Sequence, residues 1–277
     1  MDATTATALT PAARQLGAVE ARRLLRHPVY GVAVLYLAVF GVSAPFQDNG
    51  PPANAAYTVV CLDLLLVYAP VTLIAGNRIA AATYRRRVRE PFDCTPVDGR
   101  QRTVAAILGL LRGPFVVGVI TTLVLVLIGA FTTPSTSDPL TAVYQRSAPE
   151  YLQLPALVLG AGLLGVAVAR WLPRPGALPL AALGLVLEFL LLYQFTDSMP
   201  TRTWFALWPV WVGGTQGMLP PQPAHQEMWH LTYLLGLGVL AGIAALLRTP
   251  GPRRALWMAA TATTAVTVLA GMLQLRP

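Results

Sequence analysis

Apolar residues gather in this 277-residue chain into seven long blocks, at about 29–44, 55–76, 113–131, 151–169, 177–195, 231–247 and 255–273. Each is close to the ~20 residues that carry an α-helix across a hydrocarbon core. None shows the period-two alternation of a barrel strand, so helices are the predicted way of satisfying the backbone. The pattern predicts an all-α, polytopic membrane protein of six to seven transmembrane helices, built as one domain over 1–277. The last block carries four threonines. Their hydroxyls can return to helix carbonyls, which keeps that block insertable. A rival reading of the first block, as a signal peptide cut after Val42-Ser43-Ala44, is disfavoured by the long basic region before it and by Pro45 just after the would-be cut.

Composition agrees with the pattern. Hydrophobic residues make up 55% of the chain, charged residues 12%, and the mean hydropathy is +0.57. That is more apolar surface than a soluble core of this length needs. All twenty basic residues are Arg and there is no Lys. A P-loop needs a Lys on the phosphates and a Schiff-base enzyme needs a Lys amine, so neither chemistry belongs to this chain. Any ATP hydrolysis must come from a partner.

The arginines also orient the blocks. With the N-terminus cytoplasmic, only Arg146, Arg202 and Arg276 fall outside, as the positive-inside bias predicts, and the outer loops carry Asp48, Asp138, Glu150, Asp197 and Glu227. The sequence pI of 10.1 then reflects arginines facing anionic lipid. No nucleic-acid module is present. Before the first block, 11–26 reads as an interfacial helix, with Leu16, Val19 and Leu24 towards one side and Arg14, Arg22, Arg23 and Arg26 among the rest.

The polar stretch 84–102 stands apart from the other loops. It holds six of the twenty arginines, and within it Glu90, Phe92 and Asp93 lie between two arginine groups. A short helix presenting Phe92 as an apolar knob, with a charged rim, has the make-up of a protein contact. Pro91 is acceptable in the first turn of such a helix. The alternative is a basic loop that only fixes topology and binds lipid headgroups.

The order of these elements resembles the type 2 ABC transporter permease family, and most of all its actinobacterial-type members. The likeness is carried by Arg85–Arg87, Glu90, Asp93, Pro96-Val97 and Arg100–Arg102, and extends to Glu20–Pro28, Ala75–Arg78 and Arg170–Gly176. It implies a membrane subunit of an exporter, working as a homo- or heterodimer with separate ATP-binding cassette subunits that hold the ATP and Mg. It further implies that Glu90, Phe92, Asp93, Pro96, Val97 and Arg100 dock the ATPase. The chain departs from the family pattern in having Arg87-Val88 where members often carry Gly-Thr, and in a seventh block where six are usual.

Between the fifth and sixth blocks, 201–229 contains four of the six tryptophans. Indole rings favour the membrane interface. By resemblance, 204–218 forms an outer re-entrant lid, with Trp204, Phe205, Trp208 and Trp211; the plain alternative is an aromatic belt on an ordinary loop.

Two carboxylates fall inside apolar blocks, Asp63 and Glu188. Counted from the same membrane face they lie at similar depth, about 10–12 Å below it. Together they could hold a cation, a proton or a basic substrate along a transport path, or each could simply bond a neighbouring helix. His225 and His230 flank Glu227, but this is poor metal spacing. Cys61 and Cys94 lie in different environments, so no disulfide is expected. Gly160, Gly162, Gly165, Gly238 and Gly242 permit close helix approach, within the subunit or across a dimer.

The expectation is therefore a multi-pass permease subunit of an ABC exporter in a bacterial cytoplasmic membrane, with no catalytic site, cofactor or metal of its own. Its partners are an ATPase, a second permease subunit and lipid. The alternatives are a proton-coupled secondary transporter using Asp63 and Glu188, or a membrane-embedded lipid-modifying enzyme.

Overall fold

The computed structural model describes residues 11–43, 52–82, 98–132, 146–174, 176–194 and 223–276. Among these residues there are helices and no strands. In chain order the helices are α1 (Pro11–Leu25), α2 (Gly31–Ser43), α3 (Pro52–Asp63), a π-helical turn (Leu64–Tyr68), α4 (Ala69–Ala81), α5 (Gly99–Arg112), α6 (Pro114–Phe131), α7 (Ala148–Trp171), α8 (Ala177–Gln194), α9 (Ala224–Leu247) and α10 (Arg254–Leu273). Five helical segments are long and apolar enough to cross a membrane: 53–81, 99–131, 148–171, 224–247 and 254–273. The bent pair of α1 with 28–41 makes a sixth if taken as one span, and Ala177–Glu188 is a shorter apolar helix. The chain is an all-α, polytopic membrane protein.

Large apolar side chains on the outside of the bundle say the same. Leu35, Leu123, Leu127, Leu183 and Leu269 are each more than half exposed. In water such a surface would be an aggregation liability; in lipid it is the matched solvent.

The centre of the bundle is α7, which packs against α4 on one side and α9 on the other. Small residues make this possible. A Cβ at Gly165 would collide with the Leu73 carbonyl oxygen, and one at Gly76 would lie 2.8 Å from the Gly162 oxygen. Asn77 Nδ2 uses the proximity to donate to the Gly165 oxygen at 3.1 Å. On the other flank, a Cβ at Gly238 would lie 3.2 Å from Gly160 Cα. These glycines therefore serve contacts within one subunit.

The segment 99–131 is 33 residues long, about 50 Å of helix, well beyond a ~30 Å hydrocarbon core. It is divided at Gly113, where φ −110° and ψ −98° leave the helical region and Pro114 starts the next helix. The 18-residue α6 matches the hydrocarbon thickness, and α5 continues beyond it. Helix α5 begins in a capping box: Gln101 N donates to Asp98 Oδ1 at 2.6 Å, and Asp98 N donates to Gln101 Oε1 at 3.4 Å.

Helix α1 lies along α5. Its buried face is Ala13, Gly17, Ala21 and Leu24, a small residue at every fourth position, ending in a leucine. A Cβ at Gly17 would sit 2.8 Å from Leu108 Cβ, and one at Gly109 would sit 2.9 Å from Glu20 Cβ. This corrects the apolar stripe expected from the sequence. Leu24 is buried as expected, but Val19 is 45% exposed and Leu16 only partly covered. Close backbone approach, rather than bulky side chains, selects the packing face.

Both ends of the bundle are consistent with alternating spans. At the arginine-rich end, Arg112 Nη1 donates to the Arg14 oxygen at 2.9 Å and Arg100 Nη1 to the Pro252 oxygen at 3.3 Å. There too, Trp171 Nε1 donates to the Ala244 oxygen at 2.8 Å. The segments assigned to the opposite face meet one another at the other end.

Candidate functional site: a buried polar cluster

At the end remote from most arginines, the first turns of α3, α7 and α9 converge with the last turn of α10, and they bring polar side chains into the interior. The local sequence explains their placement. Ser147 caps α7, its Oγ accepting from Glu150 N at 3.4 Å, and Pro149 suits the first turn, where no N–H partner is needed. Glu150 and Gln153, three residues apart, share a face of α7. Glu227 occupies the first turn of α9 after Pro223. Both carboxylates thus lie at helix N-termini, where the helix dipole favours negative charge.

Packing then buries them. Arg146 Nε is 3.3 Å from Glu150 Oε1, with both side chains 2% exposed. These two atoms form an ion pair without the alignment of a hydrogen bond. The Arg146 guanidinium carbon stands 3.6 Å from the centre of the Tyr57 ring, which meets Tyr151 edge-on at 5.9 Å. Gln153 Nε2 donates to Glu227 Oε2, joining α7 to α9. One turn along α9, His230 Nδ1 is 2.8 Å from Gln274 Oε1, and Gln226 Nε2 donates to the Arg276 carbonyl oxygen at 2.8 Å. Besides Glu150 Oε1 of the ion pair, four side-chain oxygens of the cluster are buried without a hydrogen-bond partner: Tyr57 OH, Gln153 Oε1, Gln226 Oε1 and Glu227 Oε1. Such a network is stiff where it is satisfied and costly where it is not.

Sequence reading assigned Arg146, Glu150 and Glu227 to loops on this face and gave them no role together. One signal was available, the Ser147-x-x-Glu150 pattern that marks a helix start. Nothing in the sequence could join Gln153 to Glu227 across 74 positions. His225 is exposed while His230 turns inward to Gln274, so the two do not form a pair.

Asp63 makes a second buried polar point. It is 1% exposed, its Oδ1 has no hydrogen-bond partner, and it immediately precedes the π-helical turn. Tyr36 and Tyr68 lie within its electrostatic reach. Tyr68 OH donates to the Pro114 oxygen at 3.4 Å, and Tyr30 OH to Thr72 Oγ1 at 3.2 Å, so hydroxyls continue from this point toward the arginine-rich end. Glu188 is exposed on α8, and no interaction joins it to Asp63 among the described residues.

Of the expected docking residues, Arg100 is described, and it is engaged with the Pro252 turn. Beside it Gly251 has φ +127°, a conformation that favours glycine. Glu90, Phe92, Asp93, Pro96 and Val97 lie outside the described residues, as do Trp204, Phe205, Trp208, Trp211 and Cys94. Cys61 is buried on α3, one turn from Tyr57.

Compared with models of known protein families, with curated proteins and with solved structures, the chain matches none.

Proposed function

We propose that the chain is the permease subunit of an ATP-driven ABC exporter in a bacterial cytoplasmic membrane, moving its substrate outward while a separate partner ATPase hydrolyses ATP. The arginine-rich end is then cytoplasmic and the buried polar cluster lies at the outer face. One observation carries the reading. The 84–102 island leads directly into α5, a capped helix that projects past the membrane thickness, is held along its length by α1, and is tied by Arg100 to the turn between α9 and α10. A push on the island would reach α6 through the Gly113–Pro114 joint and α9 and α10 through Arg100. A power-stroke interface requires that kind of stiff attachment.

In this mechanism the island, with Glu90 and Phe92 at its core, receives the motion of two ATPase subunits. A second permease subunit completes the transport path between them. The outer polar cluster holds the first turns of three spans together when the path is closed outward. The test is to purify the tagged chain in mild detergent from its native host and identify what travels with it. A stoichiometric ATP-binding cassette subunit, lost in the Glu90→Ala, Phe92→Ala double variant, is the expected result. A chain that purifies alone, without ATPase activity, would sink the proposal.

A second reading is favoured by Asp63, a buried carboxylate with an unpartnered oxygen beside a π-helical turn, a backbone feature that recurs at functional sites. On that reading the protein is a proton-coupled transporter working through Asp63 alone, without Glu188. Uptake or efflux that follows an imposed pH gradient in vesicles, and is abolished in Asp63→Asn, would distinguish it.

A further inference from the structure

We infer that the cluster of Glu150, Gln153 and Glu227 is a binding site for one small monovalent cation, held between α7 and α9 by side-chain oxygens. The first observation is charge. Among the described residues the cluster contains two buried carboxylates, Glu150 and Glu227, and one buried guanidinium, Arg146. Arg146 is committed to Glu150 and to the Tyr57 ring. Glu227 has only the Gln153 amide as a described hydrogen-bond partner, and a neutral amide supplies no charge.

The second observation is independent of charge. Gln153 is 0% and Glu227 1% exposed, yet Gln153 Oε1 and Glu227 Oε1 have no partner. Two buried acceptors without donors, on side chains that bond each other, are what a cation between α7 and α9 would satisfy. The helix N-termini do not remove the deficit. Their dipoles offset only a small part of the burial penalty of one unpaired ion.

The chemistry narrows the ligand. Carboxylate and amide oxygens suit hard cations. A divalent ion would bring two positive charges to a cluster with one negative charge in surplus, and a single missing charge asks for a single positive one. Sodium and a proton both answer that description. Titratable and charged groups facing the site are Tyr57 and Cys61 from α3, Arg146, Glu150 and Tyr151 at the start of α7, and Glu227 and His230 from α9; α10 brings the neutral Gln274.

The test uses the full-length chain purified in detergent, with unfolding followed by tryptophan fluorescence. In one series sodium chloride replaces choline chloride at constant ionic strength and pH 7.5. In the other, pH is varied from 5.5 to 8.5 in choline chloride alone. Saturating the site should raise the midpoint by about 5 °C. A response to sodium identifies the ion, and a response to pH alone identifies the proton. Glu227→Gln keeps the shape and removes the surplus charge, so the variant should be more stable than wild type in choline at pH 7.5 and lose the dependence seen in wild type. Asp98→Ala, at the cap of α5 at the other end of the bundle, should keep it. A wild type flat in both series, or a Glu227→Gln variant that retains the full wild-type dependence, overturns the inference. No nucleotide, ATPase or transport assay enters this test, so its failure leaves the exporter proposal standing, and failure of that proposal leaves the site standing.

Discussion

The two ends of the bundle use charge in opposite ways. At the arginine-rich end Arg170 is buried, but Arg112 and Arg100 reach backbone oxygens from exposed or half-exposed positions, at Arg14 and Pro252. At the other end, Arg146, Glu150, Gln153 and Glu227 are enclosed and depend on one another. The difference is one of solvent. An exposed arginine can exchange its protein partner for water or a lipid phosphate at little cost, so the first end is held mainly by helix packing between α1 and α5. A buried carboxylate has no such exchange, so the second end stands or falls with its partners.

Breaking the comparison at its most sensitive point means removing a buried partner. Arg146→Ala should destabilise the protein by about 3–5 kcal/mol, read as a fall in the unfolding midpoint in detergent, and replacing Glu150 with Met in the same chain should recover most of the loss. At the arginine-rich end the largest effect should come from packing instead. Gly17→Leu or Gly109→Leu should cost about 1–3 kcal/mol by forcing α1 away from α5, with faster proteolysis of α1 as the direct readout. Next comes the cap. Asp98→Ala should cost about 1 kcal/mol and speed amide exchange in the first turn of α5 while leaving α7 unchanged. Arg100→Ala should change stability by no more than about 0.5 kcal/mol; a loss as large as that of Arg146→Ala would erase the distinction between the ends.

The smallest effect concerns pH at the joint between α1 and α2. Burial first, and then the nearby Arg78 charge, hold the His27 imidazole below its ordinary 6.5. The folded joint therefore binds fewer protons than the unfolded chain, and its contribution is present above pH 6.5 and declines below it. Exchange of the Val29 amide, whose N–H donates to His27 Nδ1 at 3.3 Å, should accelerate on acidification in wild type and become pH-independent beyond intrinsic rates in His27→Gln.

What was legible in the sequence follows the same division. Helical blocks and the arginine bias are sums over local residues, and the apolar blocks correspond to helices, with α6 and α10 matching the blocks at 113–131 and 255–273 within a residue or so. Where the sequence reading failed, the property was tertiary. Val19 looked like part of an apolar face because it is apolar, whereas Gly17 forms the face because it is small. Asp63 and Glu188 looked paired by depth, yet depth fixes one coordinate of three, and α8 turns Glu188 outward. Glu150 and Glu227 looked like solvated loop charges because first-turn residues usually are. Their burial depends on the approach of α7 to α9, which rests on Gly160 and Gly238 near the middle of those helices.

The π-helical turn at Leu64–Tyr68 divides the 52–81 span into two reading frames. An extra residue accommodated there offsets everything after it by about 100° from the helix before it. Tyr57 and Cys61 are positioned in one frame, Thr72 and Gly76 in the other. Deleting a single residue between 64 and 68 would restore an unbroken α-helix and merge the frames, swinging the Asn77 half around its axis relative to the Asp63 half. No side-chain substitution can reproduce that change, so the span is tuned by its residue count as well as by its residue types.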